Sequence, residues 1–277
     1  MSTITPETEQ RIRRIASRQN ATIKELRRGF TTNAATDDGY CAIESLKTME
    51  EAIRSGIRFK VVLFAESGLP KADRLLSQLS SKVEALAVPD EVFRSVVETE
   101  SPQGVAALVK LPDFSLDQIL QAKQRLIVIA VGIQDPGNLG TILRSAEAFG
   151  ATGVLLAEKT VSRFNSKVVR ASTGSIFRLP TVQVRLREAL AKLHEAGVRL
   201  LGTSSHRGIP MDQTDLHSDC AIAIGNEGSG VPQDALAQMD ELITIPHANH
   251  VESLNAGIAA SVILYEAARQ RRSGATG

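Results

Sequence analysis

The chain has 277 residues, of which 43% are hydrophobic, 23% charged and 4% aromatic, with no tryptophan and a net charge of +1. At roughly 150 residues per domain this length allows two domains, with cores built from Leu, Ile, Val and Ala. The balance excludes a disordered or fibrous chain, and it excludes a uniformly basic nucleic-acid binder, so any nucleic-acid contact must come from local basic patches.

The first nine residues are polar. They lack the apolar core of a signal peptide, and no later run of about 18 apolar residues occurs, so the expectation is a cytoplasmic protein with no membrane span. Residues 10–30, QRIRRIASRQNATIKELRRGF, predict one helix. It carries Arg11, Arg13, Arg14, Arg18, Lys24, Arg27 and Arg28 against the single acid Glu25. Two readings stand: a solvated helix face, or an electrostatic footprint for phosphates.

An alternating pattern follows. Strands are predicted at 41–45, 59–67, 83–89 and 104–111, with helices at 46–56, 71–80 and near 90–97, which describes an α/β layered unit. Residues 112–124 are more polar and read as a linker with a turn or two of helix. From Arg125 the pattern resumes: strands at 126–133, 153–158, 181–184, 199–205, 221–227 and 241–246, helices at 141–149, 166–172 and 186–197, and a long helix from about 253 to 272. The strands are continuous apolar runs, not alternating ones, which predicts a parallel sheet covered on both faces. Cys41 and Cys220 sit apart in strand-like contexts and suit reduced, buried thiols.

Three loops could carry chemistry. In DPGNLGTILRSAEAFG, Asn138 is a candidate helix cap, Gly137 and Gly140 permit a tight turn, and Arg144 lies a turn further on. The glycine spacing is neither GxGxxG nor a P-loop. Asn138 as a plain cap and Arg144 as a surface ion-pair partner is the structural alternative. AIAIGNEGSGVP places Gly225, Asn226, Glu227 and Gly230 just beyond a strand, where open α/β sheets bind ligands; an ordinary glycine-rich turn is the alternative. ITIPHANHVESLNAGIAASVILYEAARQ has a strand end at Ile245-Pro246, a polar loop, and Ser253-Leu254-Asn255 opening a helix apolar on all sides. Such a helix must be covered on all sides, which predicts an interface, for instance in a homodimer. His247 and His250 lack a third ligand, so no metal is expected, and no G-x-S-x-G elbow supports a hydrolase.

Taken together, these segments resemble the SpoU/TrmH family of RNA 2'-O-ribose methyltransferases, part of the SPOUT group. Asn138, Gly140, Arg144 and Phe149-Gly150 match its first motif, Gly225 to Gly230 its second, and Ile245-Pro246 with Ser253-Leu254-Asn255 its third. SRQNATIKELRRGF and ETESPQGVAALV resemble the ends of the family's substrate-binding domain. The sequence departs from the pattern at His247 and Asn249, where relatives carry Met and Gly.

The resemblance implies a smaller N-terminal α/β substrate-binding domain (1–111), a linker (112–124) and a methyltransferase domain (125–277) with a parallel sheet and a trefoil knot. It implies S-adenosylmethionine as cofactor, held by Thr203, Gly225, Asn226, Gly230, Ile245 and Leu254. Catalysis would fall to Arg144, with Asn138, Glu227, Ser253 and Asn255 in support. The substrate would be RNA, rRNA in preference to tRNA, contacted by Arg11, Arg14, Arg18, Arg27 and Arg28, and the assembly a homodimer through the last helix. Two other classes stand beside this reading: a non-catalytic RNA-binding relative, and a nucleotide-cofactor oxidoreductase, disfavoured by the missing GxGxxG.

Overall fold

A computed structural model describes residues 4–205, 207–226, 228–248 and 252–274. Two compact units emerge. The first comprises residues up to Pro112 together with Ser162–Arg178, and the second comprises Asp113–Val161 and everything from Leu179 on.

The first unit runs α1 (Pro6–Arg11), β1 (Ile12–Arg14), α2 (Ala21–Thr32), β2 (Cys41–Glu44), α3 (Leu46–Arg54), β3 (Arg58–Ala65), α4 (Ala72–Leu76), β4 (Glu84–Val88), α5 (Asp90–Arg94) and β5 (Val105–Lys110). Its five strands are ordered β1-β4-β3-β5-β2, parallel at β1, β4 and β3 and antiparallel at β5 and β2. Ile23, Leu26 and Phe30 on one side of α2 pack into a core with Val61, Leu63, Leu86 and Leu108.

The single helix expected over 10–30 is a correction. The segment is α1, a short strand, a turn and α2. Asn20 caps α2 by accepting from the Thr22 and Ile23 amides, and Ile12–Arg14 pairs with β4 instead of continuing a helix. Asn is a strong helix-capping residue, and here it starts a new helix inside a run that reads as one.

The second unit contains α6 (Leu116–Leu120), β6 (Leu126–Val131), α7 (Pro136–Ala148) and β7 (Gly153–Leu156). The chain then contributes α8 (Ser166–Ala171) to the first unit, where the Cys41 thiol lies 3.4 Å from the Phe164 carbonyl and Arg178 donates to Glu51 at 3.2 Å. It resumes as β8 (Thr181–Gln183), α9 (Leu186–Glu195), β9 (Arg199–Thr203), β10 (Ile209–Pro210), β11 (Cys220–Gly225), α10 (Gln233–Leu236), β12 (Glu241–Thr244) and α11 (Ala256–Gly274). The sheet order is β10-β12-β9-β11-β6-β7-β8, with every pair parallel. β6 is buried along its whole length and β11 up to its last residue, as expected of central strands covered on both faces. Because the strands are parallel, the loops after β6, β9, β11 and β12 emerge at the same edge.

Candidate functional site

At that edge the ends of β6 and β11 are level, Val131 standing opposite Gly225. Gly132 then turns the chain with φ +66°, a conformation that favours glycine. Its carbonyl accepts from Asn226 Nδ2 at 3.1 Å. The Asn226 Oδ1 turns back and accepts from the Gly228 amide at 2.8 Å, while the Gly230 amide donates to the Asn226 carbonyl at 2.8 Å. Asn226 thus folds its own loop and ties it to the neighbouring strand. Gly225 is confined: a Cβ there would overlap the Gly230 carbonyl carbon and the Val231 amide.

α7 begins earlier than the sequence suggests, at Pro136, and its cap is Asp135, not Asn138. Asp135 Oδ1 accepts from the Asn138 amide at 2.8 Å, and Pro136 takes the first helical position, where no amide hydrogen is needed. Gly137 and Gly140 lie inside the helix; the turn belongs to Gly132. Asn138, relieved of capping, accepts from Asn255 Nδ2 at 2.8 Å. Asn255 in turn accepts from the Ile258 amide at 3.2 Å, which makes it the capping group of α11. One pair of amides therefore joins the first turns of α7 and α11. The helices pack closely behind it: a Cβ on Gly257 would stand 3.1 Å from Thr141, and Ser145 and Ser261 share a hydrogen bond of 2.7 Å.

Beside this junction lies a cleft of about 310 Å³. Of the expected cofactor residues, Thr203, Gly225, Asn226, Gly230, Ile245 and Leu254 all line it, and so does Ser253. Thr203 Oγ1 donates to the Ala223 carbonyl at 2.8 Å and locks β9 to β11 at the cleft floor. His247 Nδ1 lies 2.7 Å from the Ile245 carbonyl and holds the rim of the third loop. Sequence reasoning missed Ser204, Gln233, Ala259 and Ile263, which also line the cleft. The small residues of α11 signalled Ala259, since small side chains leave room beside a helix, but Gln233 carries no local mark.

Among its described lining residues the cleft has no Lys, Arg, Asp or Glu. A pyrophosphate-bearing dinucleotide would find no lysine or arginine among those described residues. The wall of Ile224, Val231, Leu236 and Ile245, with small hydroxyl and amide groups interspersed, suits an uncharged aromatic ring and a sugar. S-adenosylmethionine presents both, so these residues fit it.

Arg144 is not a lining residue. It lies exposed on α7 and has no hydrogen bond or ion pair among the described residues. Glu227, Asn249 and His250 lie outside the described residues. Among the described residues no group of three His, Cys, Asp or Glu could hold a metal ion, and no helix is long and apolar enough to cross a membrane.

The N-terminal arginines are engaged with the protein. Arg11 donates to the carbonyls of Leu76, Leu79 and Ser80, and Arg27 to the carbonyl and hydroxyl of Ser95. Arg13 pairs with Glu84, Arg14 with Glu9, Arg18 with Glu91 and Arg28 with Asp37. The four pairs are exposed, and a surface pair contributes only about 0–1 kcal/mol. Arg11 and Arg27 are built into the fold.

Comparison with known proteins agrees with this geometry. Residues 125–265 match the SpoU rRNA Methylase family, and residues 20–107 match the MRM3-like substrate binding domain. The chain is 31% identical to the Bacillus subtilis 23S rRNA (guanosine(2553)-2'-O)-methyltransferase RlmP, over 92% of this chain and 98% of that one. It is 32% identical to the 23S rRNA (uridine(2479)-2'-O)-methyltransferase of Streptomyces viridochromogenes, over 88% of each. Among solved structures, the SpoU methyltransferase AviRb of that organism, in complex with AdoMet, superposes with a TM-score of 0.80 at 30% identity, covering 92% of this chain and 99% of that one. The chain belongs to the SpoU rRNA methylase family.

Proposed function

We propose that this protein transfers the methyl group of S-adenosylmethionine to a ribose 2'-hydroxyl of ribosomal RNA. The observation that carries the reading is the cleft at the carboxyl edge of the sheet, formed by the second and third family motifs and bordered by the Asn138–Asn255 bond from the first. The two named relatives act on a guanosine and a uridine of 23S rRNA, so family membership fixes the ribose as the chemical target and leaves the base open. Residues 125–277 then form the methyltransferase part, with the family's trefoil knot, and residues 1–111 the RNA-binding part, joined by 112–124.

When bound, S-adenosylmethionine supplies an electrophilic methyl group on a sulfonium. Residues of this chain do the rest. The backbone at Thr203, Gly225, Asn226, Gly230, Ile245 and Leu254 holds the cofactor; the missing side chain at Gly225 lets the loop close on its own strand, and the one at Gly230 leaves open space beside the backbone. Arg144, exposed and without a hydrogen bond or ion pair among the described residues, binds the substrate phosphate and contacts the 2'-hydroxyl. Its part is to orient the hydroxyl and steady the charge that develops on oxygen, while the hydroxyl proton leaves by way of the adjacent phosphate to solvent. Asn138 and Asn255 set the first turn of the helix that carries Arg144, and Glu227 and Ser253 complete the support.

Ile258 and Tyr265 on α11 are 53% and 52% exposed, with Val262 between them at helical spacing. That apolar stripe supports a homodimer through α11. Two buried thiols and a ribosomal substrate support a cytoplasmic protein. Incubation with methyl-labelled S-adenosylmethionine and unmodified rRNA, followed by nucleoside analysis, tests the reading. A 2'-O-methylated nucleoside is expected. A base-methylated nucleoside, or no transfer from a protein that binds the cofactor, contradicts it.

A further inference from the structure

The first unit carries a concavity of its own, lined by none of the motif residues. It is a hollow of about 340 Å³ between the loop at 98–101 and one face of α8, where Ser166, Lys167 and Arg170 stand. A neighbouring hollow of about 420 Å³, with Asp90, Phe93 and Arg94 among its walls, shares Glu100 and Ser101 with it. The two meet at these residues, and the one beside α8 is the groove that Glu98, Thr99, Lys167 and Arg170 line.

Its ionised groups differ from the N-terminal arginines. The side chains of Glu98, Glu100 and Lys167 are exposed and have no hydrogen bond or ion pair among the described residues. Arg170 uses one N–H, donated to Thr99 Oγ1 at 3.1 Å, and Thr99 donates in turn to Glu44 Oε2 at 2.7 Å. Glu44 is buried, and desolvation pushes its carboxyl above the ordinary range against the pull of the Thr99 bond. The relay fixes the Thr99 hydroxyl and aims Arg170, whose other donors have no partner among the described residues.

Two carboxylates would repel a lone anion, and Lys167 with Arg170 would repel a metal cation. A ligand that suits both signs must bring hydrogen-bond donors and a negative charge together. An unpaired nucleotide does so, with amino or imino hydrogens on its base edge and a phosphate on its backbone. Carboxylates accept from the cytosine amino group, and the same pattern rejects uracil, which presents an acceptor there. The matched substrate-binding segment, residues 20–107, supplies one wall of this groove.

We propose that this groove holds an unpaired nucleotide of the substrate RNA, apart from the reacting one, with the base edge on Glu98 and Glu100 and a phosphate on Lys167 and Arg170. The proposal rests on the RNA-methyltransferase reading for its choice of RNA.

The test uses the full chain and two unstructured oligoribonucleotides, C8 and U8, which differ only at the pyrimidine edge. Wild type is expected to bind C8 about tenfold more tightly than U8, within the range of one good base contact. Glu98→Gln with Glu100→Gln should bring the two affinities within about twofold of each other. Lys167→Ala should weaken both alike and lower the salt slope by about one. Equal binding of the two by wild type, or a preference that survives the double substitution, overturns the proposal, as does an unchanged salt slope in Lys167→Ala. All three side chains are exposed, so folding is not at stake. S-adenosylmethionine binding, measured separately on the same variants, should stay at the wild-type value. A wild-type protein that fails to bind the cofactor refutes the methyltransferase reading, and the C8/U8 comparison still decides the groove.

Discussion

At the residue scale, Arg144 and the Asn138–Asn255 pair separate two roles. Arg144 is exposed and has no partner among the described residues. Arg144→Ala should leave thermal stability within about 0.5 kcal/mol, as for an uncoupled surface position. It should leave S-adenosylmethionine affinity unchanged and reduce transfer by about a hundredfold or more, the usual loss when a transition-state contact goes. Wild-type transfer by the variant would remove Arg144 from the mechanism. Asn138→Ala leaves Asn255 Nδ2 without its acceptor. A loss of roughly 1 kcal/mol of stability accompanies that, together with reduced transfer, and a double-mutant cycle with Asn255→Ala should show the two effects to be coupled. The first motif was legible in the sequence as a set of residues but not as a geometry. Asn138 reads as a cap because Asn is among the strongest capping residues, yet Asp135-Pro136 upstream is the better start, and the loser becomes a cross-link to a residue 117 positions away. No local rule shows such a partner.

The cysteines make a second residue-scale case. Burial pushes the Cys41 thiol up to about 12, and the Cys220 thiol upward as well. Between the ordinary thiol range and that value the unfolded chain gives up its proton while folded Cys41 keeps it. Stability should therefore fall as pH rises through this window. In native protein at pH 8, neither thiol should react with an aromatic disulfide reagent on the timescale of a denatured control. Prompt labelling would place one of them at the surface.

At the element scale, what the sequence lost is instructive. Strands 41–44, 105–110, 126–131 and 220–225 were legible because continuous apolar runs leave few alternatives in a layered α/β chain. The basic segment 10–30 was not, because a three-residue strand at Ile12–Arg14 exists only through pairing with β4. The outcome divides its arginines. Arg11→Ala should destabilise the first unit by about 1.5–3 kcal/mol, because three carbonyls lose a charged donor. Arg14→Ala and Arg18→Ala should barely change the melting temperature and should each lower the salt slope of RNA binding by about one. An unchanged slope would return those pairs to the role of solvated surface. The glycine-rich loop behaves as one piece with β11: Gly225→Ala should abolish cofactor binding, since the new methyl group meets the loop backbone rather than a yielding side chain.

At the scale of the whole molecule, the division of labour follows two sequence segments that each match a known family. The structure adds that Ser162–Arg178, within the SpoU match, packs into the first unit. Nothing in its residues announces this, because the contacts of Phe164 and Arg178 are made with Cys41 and Glu51, far away in the chain. The stripe of exposed Ile258 and Tyr265 with half-buried Val262 between them should bury itself between two copies. Ile258→Asp is expected to shift the mass in sedimentation from dimer to monomer, and an unaltered mass would place the interface elsewhere. The proposed reaction is methylation of a ribose in ribosomal RNA with Arg144 at the reacting hydroxyl. The most direct measurement is a map of 2'-O-methyl positions in rRNA from cells lacking the protein, complemented with wild type or with Arg144→Ala. One ribose should lose its methyl group in the deletion, regain it with wild type and stay bare with the variant. An rRNA map that does not change on deletion, or a site restored fully by Arg144→Ala, would contradict the account.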